Sequence, residues 1–164
     1  MKRIFPAILL TLLLHTNHAG LGAERDAPDP DRPKAQSRFT HVDLYIDPKG
    51  QPLAAWQLEF AAETGDVSLV GVEAGEHPAF AAKPPYYDPA ALAGKRIILA
   101  DFSLDAQVPN QKTRIARLML EIKGDAAPHY ATKLITAADP QGKKIAAELT
   151  VADSTTQPRS GDKK

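Results

Sequence analysis

Few residues in this chain are typed and spaced for chemistry. Beyond residue 23 the histidines are His41, His77 and His129, far apart in sequence, and none falls in an HExxH or comparable metal-ligand spacing. The serines lack a GxSxG elbow, and the glycines form no phosphate-cradling loop. The chain has 20 acidic residues, enough to bring some pair close by chance, so a glycosidase-type carboxylate pair is not signalled. There is no cysteine, which removes disulfides, thiolate metal sites and a thiol nucleophile together. The expectation is a non-enzyme with no cofactor and no metal.

Two further groups invite a functional reading. Arg114 and Arg117 sit in one apolar-alternating stretch, "TRIARLMLEI". Their odd separation predicts opposite faces of a strand, with Arg117 solvated and Arg114 paired locally, and so no basic patch. The second group is "KPPYYDP", Lys83 to Pro89. Prolines stiffen the segment and reduce the entropy lost on binding. Tyr86 and Tyr87 offer flat apolar rings with polar tips, suited to sugar or protein. Phe80, Tyr86, Tyr87 and Asp88 are therefore the candidate binding residues. The alternative is that one tyrosine folds inward and plugs the end of the domain with Phe80 beside it.

The elements that must position these residues have a period of two. In "HVDLYID", Val42, Leu44 and Ile46 alternate with His41, Asp43 and Tyr45. "DPKGQ" turns the chain. In "LAAWQLEF", Ala54, Trp56, Leu58 and Phe60 share a face opposite Gln57 and Glu59. That pattern makes Trp56, the only tryptophan, a core residue rather than a sugar platform. After Thr64-Gly65-Asp66 comes "VSLVGVEAG" as another strand. "RIILADFSL" is expected to be buried on both faces near Ile97 and Ile98. "TRIARLMLEI" puts Ala116, Leu118, Leu120 and Ile122 inward. "HYATKLITAA" and "KKIAAELTV" are two strands joined as a hairpin through "DPQG". Between the third and fourth of these strands lies a long irregular segment, Glu76 to Lys95, in which Asp88 and Pro89 suit the cap and first position of a helical turn. Seven or so short strands with turns between them predict an all-β antiparallel sandwich. Trp56, Leu58, Phe60, Leu118 and Leu120 form its expected core.

Composition adds the compartment. "MKR" followed by the apolar run Ile4 to Leu14 and the small residues up to Ala23 matches an export signal, and the run is too short to span a bilayer. Residues 1–23 are expected to be removed, at Ala19 or Ala23. That leaves a protein with 18 basic against 20 acidic residues, periplasmic or extracellular, with no basic face for nucleic acid and no stable membrane insertion. Residues 24–37 are proline-punctuated and charged, a linker; residues 153–164 have the same character, a tail. The folded domain is expected over 38–152.

The order of several segments resembles the cohesin-like branch of the sandwich folds, whose neighbours include cellulose-binding modules. "VDLYID" looks like the family's first strand. "PLAAWQLEFAAETGDVSLVGVEAG" is similar to its second and third. "YYDPAALAGKRIILADFS", "TRIARLMLEIKG" and "ITAADPQGKKIAAELTV" follow in the family's order, so the likeness spans most of Thr40 to Val151. The family commonly places Tyr-Asp-Pro directly after the second strand, whereas here it stands at Tyr87 to Pro89. There is no dockerin-type calcium-loop duplication. The resemblance implies a jelly-roll or cohesin-like sandwich and a small exported bacterial single-domain protein acting as a binding module. A protein partner is the first expectation and a polysaccharide the alternative.

Overall fold

The computed structural model describes residues 36–154. The expected export signal and nearly all of the linker and the tail lie outside the described residues. The strands are β1 (Ser37–Asp47), β2 (Ala55–Ala62), β3 (Asp66–Glu73), β4 (Arg96–Phe102), β5 (Thr113–Lys123), β6 (Tyr130–Ala138) and β7 (Glu148–Asp153). They form two antiparallel sheets: sheet A in the order β3-β5-β1-β7 and sheet B in the order β4-β2-β6. The architecture is an all-β sandwich.

Alternation explains how the sheets face each other. Val42, Leu44 and Ile46 of β1 and Leu118, Leu120 and Ile122 of β5 point inward from sheet A. Trp56, Leu58 and Phe60 of β2 and Ile97 and Leu99 of β4 meet them from sheet B. Each such side chain stabilises the fold by about 1.5–3 kcal/mol on leaving water, and with no disulfide available this single cluster is what holds the sheets together. The Trp56 indole lies edge-on to Phe80, with ring centroids 6.2 Å apart and planes at 76°. Its Nε1–H is buried and has no hydrogen-bond partner among the described residues.

Four features correct or extend the reading of the sequence. First, β4 is buried on one face only. Ile97 is covered by the facing sheet, whereas Ile98 is 38% exposed, because it points to the outer face of sheet B, over which the described residues place no further layer. Second, β5 carries a bulge. Leu44 pairs with Ala116 and the next residue, Tyr45, with Arg114, so Ile115 has no partner on β1. Ile115 and Ala116 are consequently both buried. Third, the "DPQG" turn forms, with the Gly142 N–H donating to the Asp139 carbonyl at 2.9 Å and φ of +78° at Gly142. The hairpin beyond it is only a stub. After the Ile145 N–H bonds the Ala137 carbonyl (2.9 Å), the chain crosses over Ile145, which is buried, and β7 joins β1 in the other sheet.

Fourth, the segment after β3 is ordered. A short helix α1 (Pro78–Ala81) is capped by His77, whose Nδ1 accepts the Ala79 N–H at 3.2 Å. A 3-10 turn follows at Pro89–Ala91, with Asp88 Oδ1 accepting the Ala90 N–H at 2.9 Å. The segment is fastened to both sheets. Glu76 N–H bonds the Arg114 carbonyl (3.0 Å), and the Ala93 N–H donates to the Leu69 carbonyl (2.7 Å) while the Leu69 N–H donates to the Gly94 carbonyl (2.9 Å), all on sheet A. Tyr86 exchanges two backbone bonds with Ala100 of sheet B. At Gly75 the chain presses so close to the bulge that a Cβ would stand 2.8 Å from the Arg114 carbonyl oxygen.

Candidate functional site

The Tyr86–Ala100 pairing organises the face that carries the sequence's candidate residues. The Tyr86 N–H donates to the Ala100 carbonyl at 2.8 Å, and the Ala100 N–H donates to the Tyr86 carbonyl at 3.0 Å. This rung lays Tyr86 beside Phe102 of β4. Their rings are nearly parallel (9°) with centroids 6.3 Å apart. Tyr86 is 53% and Phe102 56% exposed, and Leu104 beyond them is almost fully so. Lys83 reaches back over the Tyr86 ring, 3.9 Å from its centroid, and bonds its hydroxyl. A cation over the ring and a hydroxyl bond hold Tyr86 in its outward position.

Tyr87 takes the opposite course and packs, half-buried, against the core. Phe80, expected among the binding residues, is 2% exposed and cannot touch a ligand from solvent. The helical turn at Pro78–Ala81 aims its ring at Trp56, so it is core. After Tyr86 the chain leaves β4 for the 3-10 turn and opens a groove of about 410 Å³, lined by Tyr86, Tyr87, Asp88, Gln57, Arg96 and Ile98 among others. Arg96 Nε bonds Glu59 Oε1 at 2.6 Å, and this bond holds the Glu59 carboxyl below its ordinary value. Behind Phe102, Asp101 is buried; burial pushes its carboxyl up, and its Oδ1 accepts the Phe102 N–H at 2.9 Å. Three of the four expected residues thus meet around the groove. Phe102 and Ile98 were missed. The signal was present in the parity of Arg96, Ile98, Ala100 and Phe102, which alternate with the buried Ile97, Leu99 and Asp101.

Compared with family models, curated proteins and solved structures, the chain matches none.

The outer face of sheet A carries a charged network. Arg117 grips Asp43 with two bonds, Nε to Oδ1 at 2.7 Å and Nη2 to Oδ2 at 2.9 Å, and Arg114 Nη1 approaches the same Oδ1 at 3.5 Å. The two arginines therefore share a face, contrary to the odd-spacing expectation, and Arg117 is not simply solvated. The cause is the bulge at Ile115, which adds one residue and restores even parity between them. Burial raises the Asp43 carboxyl, but the hydrogen bonds and charge of Arg117, helped by Arg114 and His41, outweigh it and leave it below its usual range. The Tyr45 hydroxyl beside it is raised, first by burial and then by the charges of Asp43 and Glu76. Glu76 Oε1 accepts the Arg114 N–H at 2.9 Å and so closes the bulge. Since Arg117 is already taken by Asp43, this network is structural chemistry rather than an open anion site.

His41 lines the polar hollow near Asp43, His77 caps α1, and His129 Nδ1 lies 3.0 Å from Glu63 Oε2. Among the described residues no three histidine, cysteine or carboxylate side chains stand together as metal ligands, and no helix is long and apolar enough to cross a membrane.

Proposed function

We propose that this chain is a non-catalytic binding module of an exported protein and that it takes a protein partner on the exposed apolar strip of sheet B beside the groove. The observation that carries the reading is the outward Tyr86–Phe102 pair, continued by Leu104 and Ile98. Contiguous apolar surface rimmed by polar groups marks interaction sites, and aromatic rings are enriched in their centres. The rim here is Lys83, Asp88, Gln57 and the Arg96–Glu59 pair. The ordered likeness to cohesin-like sandwiches supports a docking role without naming the partner. The export reading rests on residues 1–23 of the sequence.

One observation favours a second reading. Two nearly parallel exposed rings present flat faces of the kind that stack on sugar, with polar groups beside them. The aliphatic Ile98 and Leu104 within the same strip tell for protein over sugar. The test is retention by the immobilised full chain, wild type against Tyr86→Ala/Phe102→Ala. A stoichiometric protein captured from the native envelope and lost with the double variant supports the first reading. Retention on a glycan array, lost with the same variant, replaces it with the second. Binding that is indifferent to both rings refutes the use of this face.

A further inference from the structure

The backbone beside the groove carries a second kind of information. In an antiparallel strand the N–H and C=O of one residue point to the same side, and successive residues alternate sides. Ala100 spends both groups on Tyr86, so it points away from β2. By parity Ile98 and Arg96 point the same way, while Leu99, Ile97 and Lys95 face β2; the Lys95 carbonyl accepts the Ala62 N–H at 2.8 Å. Among the described residues no backbone partner meets Ile98 or Arg96 on that side. Tyr86 is thus the first rung of a ladder whose next two rungs are open, and they open where the chain from Tyr87 to Ala91 swings away.

From this edge we infer that the partner binds by strand addition: an extended peptide segment pairs with Ile98 and Arg96 of β4, in line with Tyr86. The inference rests on the protein-partner reading above. Unpaired donors and acceptors alternating along a sheet edge fit an extended main chain, which presents the same groups at the same repeat. The groove also states the side chains. Ile98, Ala91 and Tyr87 make an apolar seat. The Arg96 charge is already met by Glu59, whereas Asp88 has no ion-pair partner among the described residues and uses one oxygen to cap the 3-10 turn. The segment that fits is therefore apolar at the residue over Ile98 and basic at a neighbour facing Asp88.

The β3 edge of the other sheet is less suited. On β3 the rung at Leu69 is occupied by Ala93 and Gly94, and a bulge at Val70 breaks the register. Natural sheets blunt their edges by such means. The open rungs on β4 are flanked by a groove instead.

The experiment uses the full chain and a displayed library of random linear peptides, with soluble cello- and chito-oligosaccharides as a parallel arm. Enriched peptides should carry an apolar residue next to a basic one and should slow amide exchange at Ile98 and Arg96. Ile98→Pro removes one outward donor, at a position whose N–H makes no ladder bond to β2, as edge prolines do. It should weaken peptide binding about tenfold, the loss of one hydrogen bond with its partner left unsatisfied, clearly more than Ile98→Val, which keeps the donor and trims only one methylene from the apolar seat. A thermal melt and the amide spectrum establish that the proline variant is folded; if it is not, the exchange measurement on the wild type decides. No enrichment, or no protection at Ile98 and Arg96, overturns strand addition. Peptides lost with Tyr86→Ala/Phe102→Ala but indifferent to Ile98→Pro leave the protein-partner reading standing and remove this mode. Oligosaccharides that shift these amides when peptides do not overturn both.

Discussion

Asp43→Asn isolates the charged network of sheet A. The substitution keeps the shape of the side chain and removes the charge that Arg117 grips at 2.7 and 2.9 Å and Arg114 approaches at 3.5 Å. Charge-assisted hydrogen bonds contribute about 1.5–3 kcal/mol when one partner is ionised. The side chains keep some solvent, 14% for Asp43 and 30% for Arg117, so the pair is discounted toward the surface range. The expected loss is about 1–2 kcal/mol, which for a domain of this size lowers Tm by about 4–8 °C. The pH dependence is the sharper signature. The folded carboxyl lies below its ordinary value. Its contribution is therefore complete above the unfolded carboxylate value of about 4 and disappears as pH falls through the lower folded value. Urea unfolding followed by the single tryptophan, Trp56, should give a constant gap between wild type and variant from about pH 5 to 7, closing in the acid range. A gap as wide well below pH 4 as at neutrality, or none at neutrality, would refute the account.

Trp56→Ala should cost about 3–5 kcal/mol by denaturant unfolding, as buried large aromatics do, and Trp56→Phe far less, because it also removes the N–H that lacks a partner. Gly75→Ala should cost about 1–3 kcal/mol by thermal melt, since its Cβ would stand 2.8 Å from a backbone carbonyl that the bulge holds in place. The Tyr130 hydroxyl is buried without a hydrogen-bond partner among the described residues and is pushed up from 10.0 to about 12, by burial first and then by the charge of Asp153. The unfolded phenol ionises first, so wild type should lose stability as pH rises from about 10 to 12. Tyr130→Phe should shrink that loss and leave only the part due to Tyr45, whose hydroxyl is also raised, as read by urea midpoints across the alkaline range.

The period of two made the strands legible: an apolar residue at every second place in β1, β2 and β5 leaves little choice of inward face. What the pattern does not hold is the count of residues between faces once a bulge intervenes. Arg114 and Arg117 differ by three, and only the unpaired Ile115 shows that they converge on one carboxylate. Such a bulge is created by the partner strand and by the chain pressing in at Gly75 and Glu76, none of which is local. The exposure of Ile98 was hidden for a related reason. An isoleucine after an isoleucine looks doubly buried until it is known that no further layer covers the outer face of the sheet. The crossing from β6 to β7 likewise depends on which sheet has a free edge, and a turn sequence cannot carry that. Within the groove, the tyrosines and Asp88 were legible because prolines and a cap signal isolate them. Phe102 was not, because its partner ring comes from a segment sixteen residues earlier in the chain.

The segment from Gly75 to Lys95 fastens sheet A to sheet B and also forms one wall of the groove. Its backbone bonds at Glu76, Tyr86, Ala93 and Gly94 leave little freedom for insertion or deletion. In a lineage of such domains, then, a new specificity would have to arise by exchanging outward side chains, chiefly at Tyr86 and Asp88 and across the gap at Ile98 and Phe102. The wall itself would stay the same length while the ligand it recognises changes, as a lock is rekeyed without recasting its body.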